Sequence, residues 1–274
     1  MDRISLGDRM KRYEAVSKNF LMRRQPVIIR LDGKSFHSFT KGFKKPFDDI
    51  LISTMQETMK YLCENIQGCV LGYTQSDEIT LVLCDYQTLD TDAWFGYNIQ
   101  KIVSVSASMA TMKFNQLFLK EAQEFYISND ECKCDGEREE LESYSDALER
   151  SALNGALFDS RAFTLPIEEV ANCLIWRQQD AIRNSIQSLA QSLYPYKELH
   201  GINTKSLQDK MIVEKGVNWN DLSTTKKLGS CCIKITIQNL KDDLCPKNNW
   251  IIDNEIPIFS QNREYIENRI IFQY

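Results

Sequence analysis

The sequence predicts an α+β fold with a ferredoxin-like βαββαβ core, extra helices and a C-terminal extension. Three observations predict it. A β-branched run, 27–32, ends abruptly at Asp32-Gly33. One helix later come two strand-like runs joined by the polar tip Thr74-Gln75-Ser76-Asp77-Glu78. After a second helix, a fourth run at 158–166 completes the order.

Each element has its own signal. Residues 8–22 read as a helix with Arg9, Lys11, Arg12 and Lys18 on an exposed face. Pro26 introduces the first strand, 27–32. Pro46 and Asp48 open a helix over 48–66, in which Leu51, Met55, Met59 and Leu62 make one apolar stripe. Val70 to Tyr73 and Ile79 to Leu83 form the hairpin, and small and apolar residues continue as a helix over 93–118. The stretch 121–149 is expected as an acidic surface excursion, partly helical. A long helix over 167–194 carries Ile175, Ile182, Ile186, Leu189 and Leu193 on one face. Residues 1–195 are therefore expected to form the catalytic unit, with 196–274 packed on it as an extension.

Composition excludes several classes. No apolar run approaches the roughly 20 residues that a bilayer requires, so no membrane partner is expected. The first fourteen residues are too polar for a signal peptide, and the nine cysteines lack framework spacing, so a cytoplasmic protein with reduced thiols is expected. Cys132, Cys134, Cys231 and Cys232 do not have the spacing of zinc knuckles, and no structural zinc is expected. Net charge is −5, but it is unevenly spread. Residues 1–45 hold twelve Lys/Arg against four Asp/Glu, and 121–149 hold eleven Asp/Glu against two basic residues. On charge alone, phosphate contact by the basic segment and two ordinary solvated faces stay equally open.

The βαββαβ order gives the acids their meaning. Asp32 ends the first strand, and Asp77 and Glu78 tip the hairpin beside it, so acids distant in sequence converge on one sheet edge. Mg²⁺ takes oxygen ligands from one or two carboxylates plus phosphates and water, and an ion pair about 3.5–4 Å apart can hold both oxygens of a phosphoryl displacement. The Gly33 carbonyl could join them. Lys34, Lys45 and Lys101 are candidates to neutralise a triphosphate. Either acid alone reads as a turn residue; their joint placement supports metal binding.

These residues resemble the tRNA(His) guanylyltransferases and their relatives. The resemblance runs through RLDGKSFHSFT (30–40), FKKPFDD (43–49), YTQSDEITLVL (73–83), WFGYNIQKI (94–102), FDSRAFTLP (158–166) and WRQQDAIRNS (176–185). It implies a polymerase-like palm that adds nucleotides to a tRNA 5′ end, with nucleoside triphosphates such as GTP as substrates and ATP for 5′ activation. It also implies two Mg²⁺ ions on Asp32, Asp77 and the Gly33 carbonyl, Glu78 as an acid beside them, and a homotetramer. Lys34, Ser35, Phe36 and His37 match the loop around the nucleotide, and Ser76, Lys45 and Lys101 match triphosphate contacts. The family's His-Ile-Asn-Asn element is absent: after Asp180 the chain reads Ala181-Ile182-Arg183-Asn184-Ser185. That form is similar to the bacterial-type relatives, implying template-dependent repair of truncated tRNA, with untemplated guanylate addition at the −1 position as the alternative. Arg177, Asp180 and Asn184 share one helix face; RNA contact and a plain ion pair both stay open for them. A cyclase-like activity on free nucleotides and a silent RNA-binding scaffold are the competing classes.

Overall fold

A computed structural model describes residues 4–128, 135–237 and 247–271. Its six strands are β1 (Val27–Gly33), β2 (Cys69–Gln75), β3 (Glu78–Leu83), β4 (Phe158–Thr164), β5 (Ser230–Ile237) and β6 (Lys247–Asp253). They form one antiparallel sheet in the order β4-β1-β3-β2-β5-β6. The first four strands have the expected ferredoxin-like arrangement, in which β1 lies between β4 and β3. The tail does more than pack on this unit. Leu71 to Thr74 of β2 pair with Ile233 to Ser230 of β5, so residues beyond 195 extend the palm sheet itself.

Alternation within β1 divides the core into two layers. Val27, Ile29 and Leu31 point to one face with Met55, Met59 and Leu62 of α3 (Asp49–Asn65) and Phe114 and Phe118 of α4 (Ile99–Ser128). Ile28 points to the other face with Val82, Leu174 of α6 (Ile167–Leu193) and Ile266 of α10 (Glu264–Ile270). A third, smaller cluster joins Ile186 and Leu189 of α6 to Leu207 and Met211 of α8 (Thr204–Lys215).

Three elements depart from the sequence expectations. The N-terminal helix, α1 (Leu6–Val16), stops short of residue 22, because Phe20 bridges to Asn98 and the Leu21 N–H donates to the Tyr97 carbonyl. Backbone pairing there replaces the last helical turns, and α1 itself buries no residue. A 3₁₀ turn, Trp94–Tyr97, precedes α4, which runs on to Ser128. The acidic stretch is no mere excursion: within its described part, α4 continues and α5 (Asp135–Asn154) returns beside it. Tyr144, Ala147 and Leu148 of α5 are buried, an apolar stripe hidden inside a strongly acidic composition. Cys231 and Cys232 are buried in β5 on opposite sheet faces, while Cys132 and Cys134 lie outside the described residues. Among the described residues, no helix is long and apolar enough to cross a membrane.

Close helix–sheet contact depends on one missing side chain. A Cβ on Gly72 of β2 would lie 2.6 Å from Cys63 Sγ and 2.9 Å from Met59 Cγ, both on α3. Gly72→Ala is therefore expected to cost about 1–3 kcal/mol through overpacking. Urea unfolding should show a lower midpoint with little change in slope.

Candidate active site

The chain turns sharply twice at one end of the sheet. β1 stops at Gly33, followed by Lys34 and by Ser35 in the left-handed region at φ 56°. Ser35 precedes the single turn α2 (Phe36–Phe39). The β2–β3 hairpin reverses through Ser76, also left-handed at φ 50°, and Asp77. The Gly33 N–H donates to the Asp77 carbonyl at 3.1 Å, tying the two turns together. Register does the rest. Asp32 is opposite Glu78 on one side and Asp159 on the other, so these three acids share the sheet face that α6 partly covers.

The acids differ in environment. Glu78 is buried and committed: its Oε1 accepts from Arg177 Nε at 2.7 Å. Arg177 also donates to Asp180 at 2.9 Å, and Asp180 accepts from Arg183 at 2.5 Å. Burial pulls the Asp180 carboxyl up, but hydrogen bonds from Arg183 and Arg177 outweigh it and hold it below the usual range. Asp32 is more exposed, with the Arg161 guanidinium 4.0 Å away. Asp77 is half-buried, and its Oδ1 accepts from Ser76 Oγ at 3.0 Å. Burial raises the Asp77 pKa, and Asp32 and Glu78 push it the same way.

That raised carboxyl tests the fit of a cation. A bound divalent ion would offset the cost of burying the Asp77 charge and, to a smaller degree, its repulsion by Asp32 and Glu78. Among the described residues, no three His, Cys, Asp or Glu side chains gather as a metal cage. Two carboxylates and a backbone carbonyl suit an ion that completes its shell with water and substrate phosphate, as Mg²⁺ does.

Beside Asp77 opens a cavity of about 250 Å³ lined by His37, Thr40, Lys44, Lys45, Ser76 and Ser188, among others. It joins, through Pro46, Asp48, Leu51 and Ser76, a cleft of about 140 Å³ that reaches Asn184, Lys226 and Lys227. Asp48 holds this corner by accepting from the Lys44 and Leu51 amides at 3.1 and 3.0 Å and from the Tyr144 hydroxyl at 2.7 Å. The Lys45–Pro46 peptide is cis. A larger cleft of about 680 Å³, between the Gly42–Lys44 turn and α5, contains neither Asp32 nor Asp77. Glu139 and Glu140 line it, which suits a triphosphate poorly.

The structure gathers most of the residues singled out from the sequence. His37, Lys45, Ser76 and Asp77 line one cavity, with Gly33 and Asp32 at the adjoining strand end. Phe36 only edges that cavity; its ring is buried against Phe39, Phe114 and Phe158. A Cβ on Gly33 would lie 2.2 Å from that ring, so the glycine is required there. Lys34 and Ser35 are exposed, and the Lys34 N–H donates to the Leu157 carbonyl at 2.8 Å. Lys101 stands apart. It sits in the first turn of α4 with its ammonium 5.8 Å from the Phe95 ring centroid. Thr111, which anchors Phe158 near the site at 3.1 Å, is ten residues further along α4, and at 1.5 Å per residue that is about 15 Å. Sequence reasoning missed Lys226 and Lys227 of α9 (Thr224–Leu228), because only the pairing of β5 with β2 carries them to the hairpin tip.

The class that this sheet and its paired acids match is a nucleotidyltransferase built on a palm. The chain belongs to the tRNAHis guanylyltransferase family, whose model matches residues 7–166, and is a nucleotidyltransferase of that family. It is 44% identical to a bacterial tRNA(His) guanylyltransferase-like protein solved in complex with ATP, with a TM-score of 0.80 over 98% of this chain and 100% of that one. A bacterial protein of the same description in complex with GTP is 42% identical, with a TM-score of 0.76 over 97% and 98%. A probable tRNA(His) guanylyltransferase of Dictyostelium discoideum is 24% identical over 90% of this chain and 91% of its own length.

Asp77 generates a test with two opposed readouts. Its carboxyl binds a proton more readily in the fold than in the unfolded chain, so stability falls as pH rises through the unfolded value toward the raised one. Asp77→Asn removes the charge and should raise Tm in metal-free buffer near neutral pH. The same substitution should weaken divalent-cation affinity at least as much as loss of a ligand's outer partner does, about 10- to 100-fold. Thermal melts in chelator and calorimetric Mn²⁺ titration check both; an unchanged or lower Tm contradicts the assignment.

Proposed function

We propose that this protein is a template-dependent 3′–5′ nucleotidyltransferase that adds nucleotides to the 5′ end of truncated tRNA. The observation that carries the reading is the convergence of Asp32 and Asp77 beside a cavity lined by Lys45, His37 and Ser76. Solved relatives in complex with ATP and GTP support nucleotide binding in this fold.

In the proposed reaction, the 3′-hydroxyl of the incoming nucleotide attacks the activated 5′ phosphate of the RNA. A P–O bond forms, and pyrophosphate leaves from a 5′-triphosphate. A 5′-monophosphate first attacks the α-phosphorus of ATP, releasing pyrophosphate and forming a 5′-adenylylated end, from which AMP leaves when the 3′-hydroxyl attacks. Asp32, Asp77 and the Gly33 carbonyl would hold the divalent ions, which would supply charge neutralisation at the phosphates and a lowered pKa for the attacking hydroxyl. Lys45 takes triphosphate charge, and Ser76 and His37 offer hydrogen bonds at the same wall. Glu78 is not placed on the ions in this reading: its pair with Arg177 braces the hairpin against α6. Catalysis then rests on positioning and charge neutralisation, without a protein nucleophile. A homotetramer and a cytoplasmic location belong to the same proposal, by family resemblance.

Repair is preferred over untemplated guanylate addition because of the α6 segment 181–185. Ser185 donates to the Lys226 carbonyl at 2.7 Å and accepts from Trp219 Nε1 at 2.9 Å, so the segment is tied to the tail. No histidine stands there to read one dedicated addition. Truncated tRNAs carrying each of the four opposing bases should receive the complementary nucleotide, as sequencing of the product will show. Addition of G alone, whatever base lies opposite, would make untemplated guanylate addition the better reading.

Arg9, Lys11 and Arg12 of the basic segment 1–45 are exposed on α1, where they can meet RNA phosphates. tRNA affinity should fall steeply with salt despite the pI of about 5.3. Each duplex phosphate contact contributes about −0.9 to the log–log slope. A slope near zero in a filter-binding series would remove the basic segment from the RNA surface.

A further inference from the structure

The sheet face beside α6 carries a group of side chains that the nucleotide cavity does not use. β4 is an edge strand, and register places Arg30 opposite Arg161 on the same face as Asp32 and Asp159. Above them, Trp176 of α6 is 49% exposed. Its ring lies 5.4 Å from the Arg30 guanidinium carbon and 4.5 Å from that of Arg177. Arg177 is buried and locked onto Glu78 at 2.7 Å, so one side of the indole rests on a fixed group. Arg30 has no carboxylate partner among the described residues. Arg161 is 55% exposed at the side chain and leans toward Asp32 and Asp159 at 4.0 and 3.7 Å, from where it could swing to a phosphate.

A large aromatic ring left half in water, held by guanidinium groups on rigid elements, is the composition of a base-stacking surface. Exposed base faces at RNA ends are recognised in this way, by stacking on aromatic rings or guanidinium planes. The position matters as much as the composition. The cavity lined by His37, Lys45 and Ser76 opens beside the hairpin turn, whereas Trp176 lies against Arg30, two residues before Asp32 on β1, and does not line that cavity. Two nucleic-acid groups could therefore meet at the carboxylates from different directions.

We propose that Trp176 is the stacking platform for the terminal base at the RNA 5′ end, with Arg30 and Arg161 taking the adjacent phosphates. This inference rests on the reading that the enzyme acts on an RNA 5′ end. The same chemistry could receive the base of a free nucleotide, and the RNA is favoured because the triphosphate cavity lies elsewhere. Trp176 is thus a substrate-positioning residue.

The test compares wild type, Trp176→Ala, Trp176→Phe and Arg30→Ala, using a 5′-truncated tRNA in one arm and ATP in the other. Trp176→Ala should weaken tRNA binding roughly 5- to 100-fold, the range for loss of one stacked base. It should raise KM for tRNA, leave ATP affinity and Tm unchanged, and be largely restored by Trp176→Phe. Arg30→Ala should lower the salt slope of tRNA binding by about 0.7 to 0.9, one phosphate contact. Wild-type tRNA affinity in Trp176→Ala overturns the platform while leaving the repair reading intact, and so does an equal loss of ATP affinity. A wild-type protein that binds no RNA at all overturns both.

Discussion

Everything at the candidate site depends on the register of β1 against β3, with Asp32 opposite Glu78. Side chains alternate between sheet faces, so a slip of one residue would turn Asp32 into the layer occupied by Met55, Met59 and Phe114. The apolar alternation of β1 forbids that slip, because it would also drive Leu31, fully buried, out toward the α6 side. The hydrogen bond from Gly33 to the Asp77 carbonyl then locks the hairpin tip to the strand end. Burial of aliphatic side chains thus sets the position of the acids at the strand ends.

Two supports keep this corner rigid. Behind the loop after β1, Phe36, Phe39, Phe43, Phe114, Phe118 and Phe158 pack ring to ring with centroids 5.0–5.8 Å apart. On the opposite face, Glu78 and Arg177 make a buried pair. Removing one partner of such a pair costs roughly 3–5 kcal/mol, because the other charge is stranded. The pair therefore fixes α6 over the sheet, and with it Trp176. Asp77 sits between these supports, and its burial, with Asp32 and Glu78 nearby, holds its carboxyl above the usual range.

The tail gains meaning in the same terms. β5 pairs with β2 and approaches the hairpin so closely that a Cβ on Gly229 would lie 2.4 Å from the Thr74 carbonyl oxygen. Gly229 has φ +86°, so the glycine serves both the turn out of α9 and the contact. That approach brings Lys226 and Lys227 to the cleft, where Lys226 pairs with Asp49 at 2.8 Å and Lys227 donates to the Asn220 carbonyl at 2.7 Å. Residues more than a hundred positions from Asp77 thus help to shape the wall beside it.

The sequence by itself determined the βαββαβ core, the ends of β1 and the hairpin, and the acids at those ends. These follow from local periodicity and turn chemistry, which act over a few residues and need no tertiary context. It also carried the family resemblance, through motifs whose side chains the fold then gathers at His37, Lys45, Ser76 and Asp77. What the tertiary structure decided is pairing across distance. It showed that Glu78 is spent on Arg177, that Phe36 is mostly core, that Lys101 lies toward the far end of α4, and that β5 joins the palm sheet. The apolar stripe of α5 was masked by its acidic neighbours until Tyr144 reached Asp48. Partner choice among buried charges and strand edges depends on which surfaces meet in space, and no window of sequence records that.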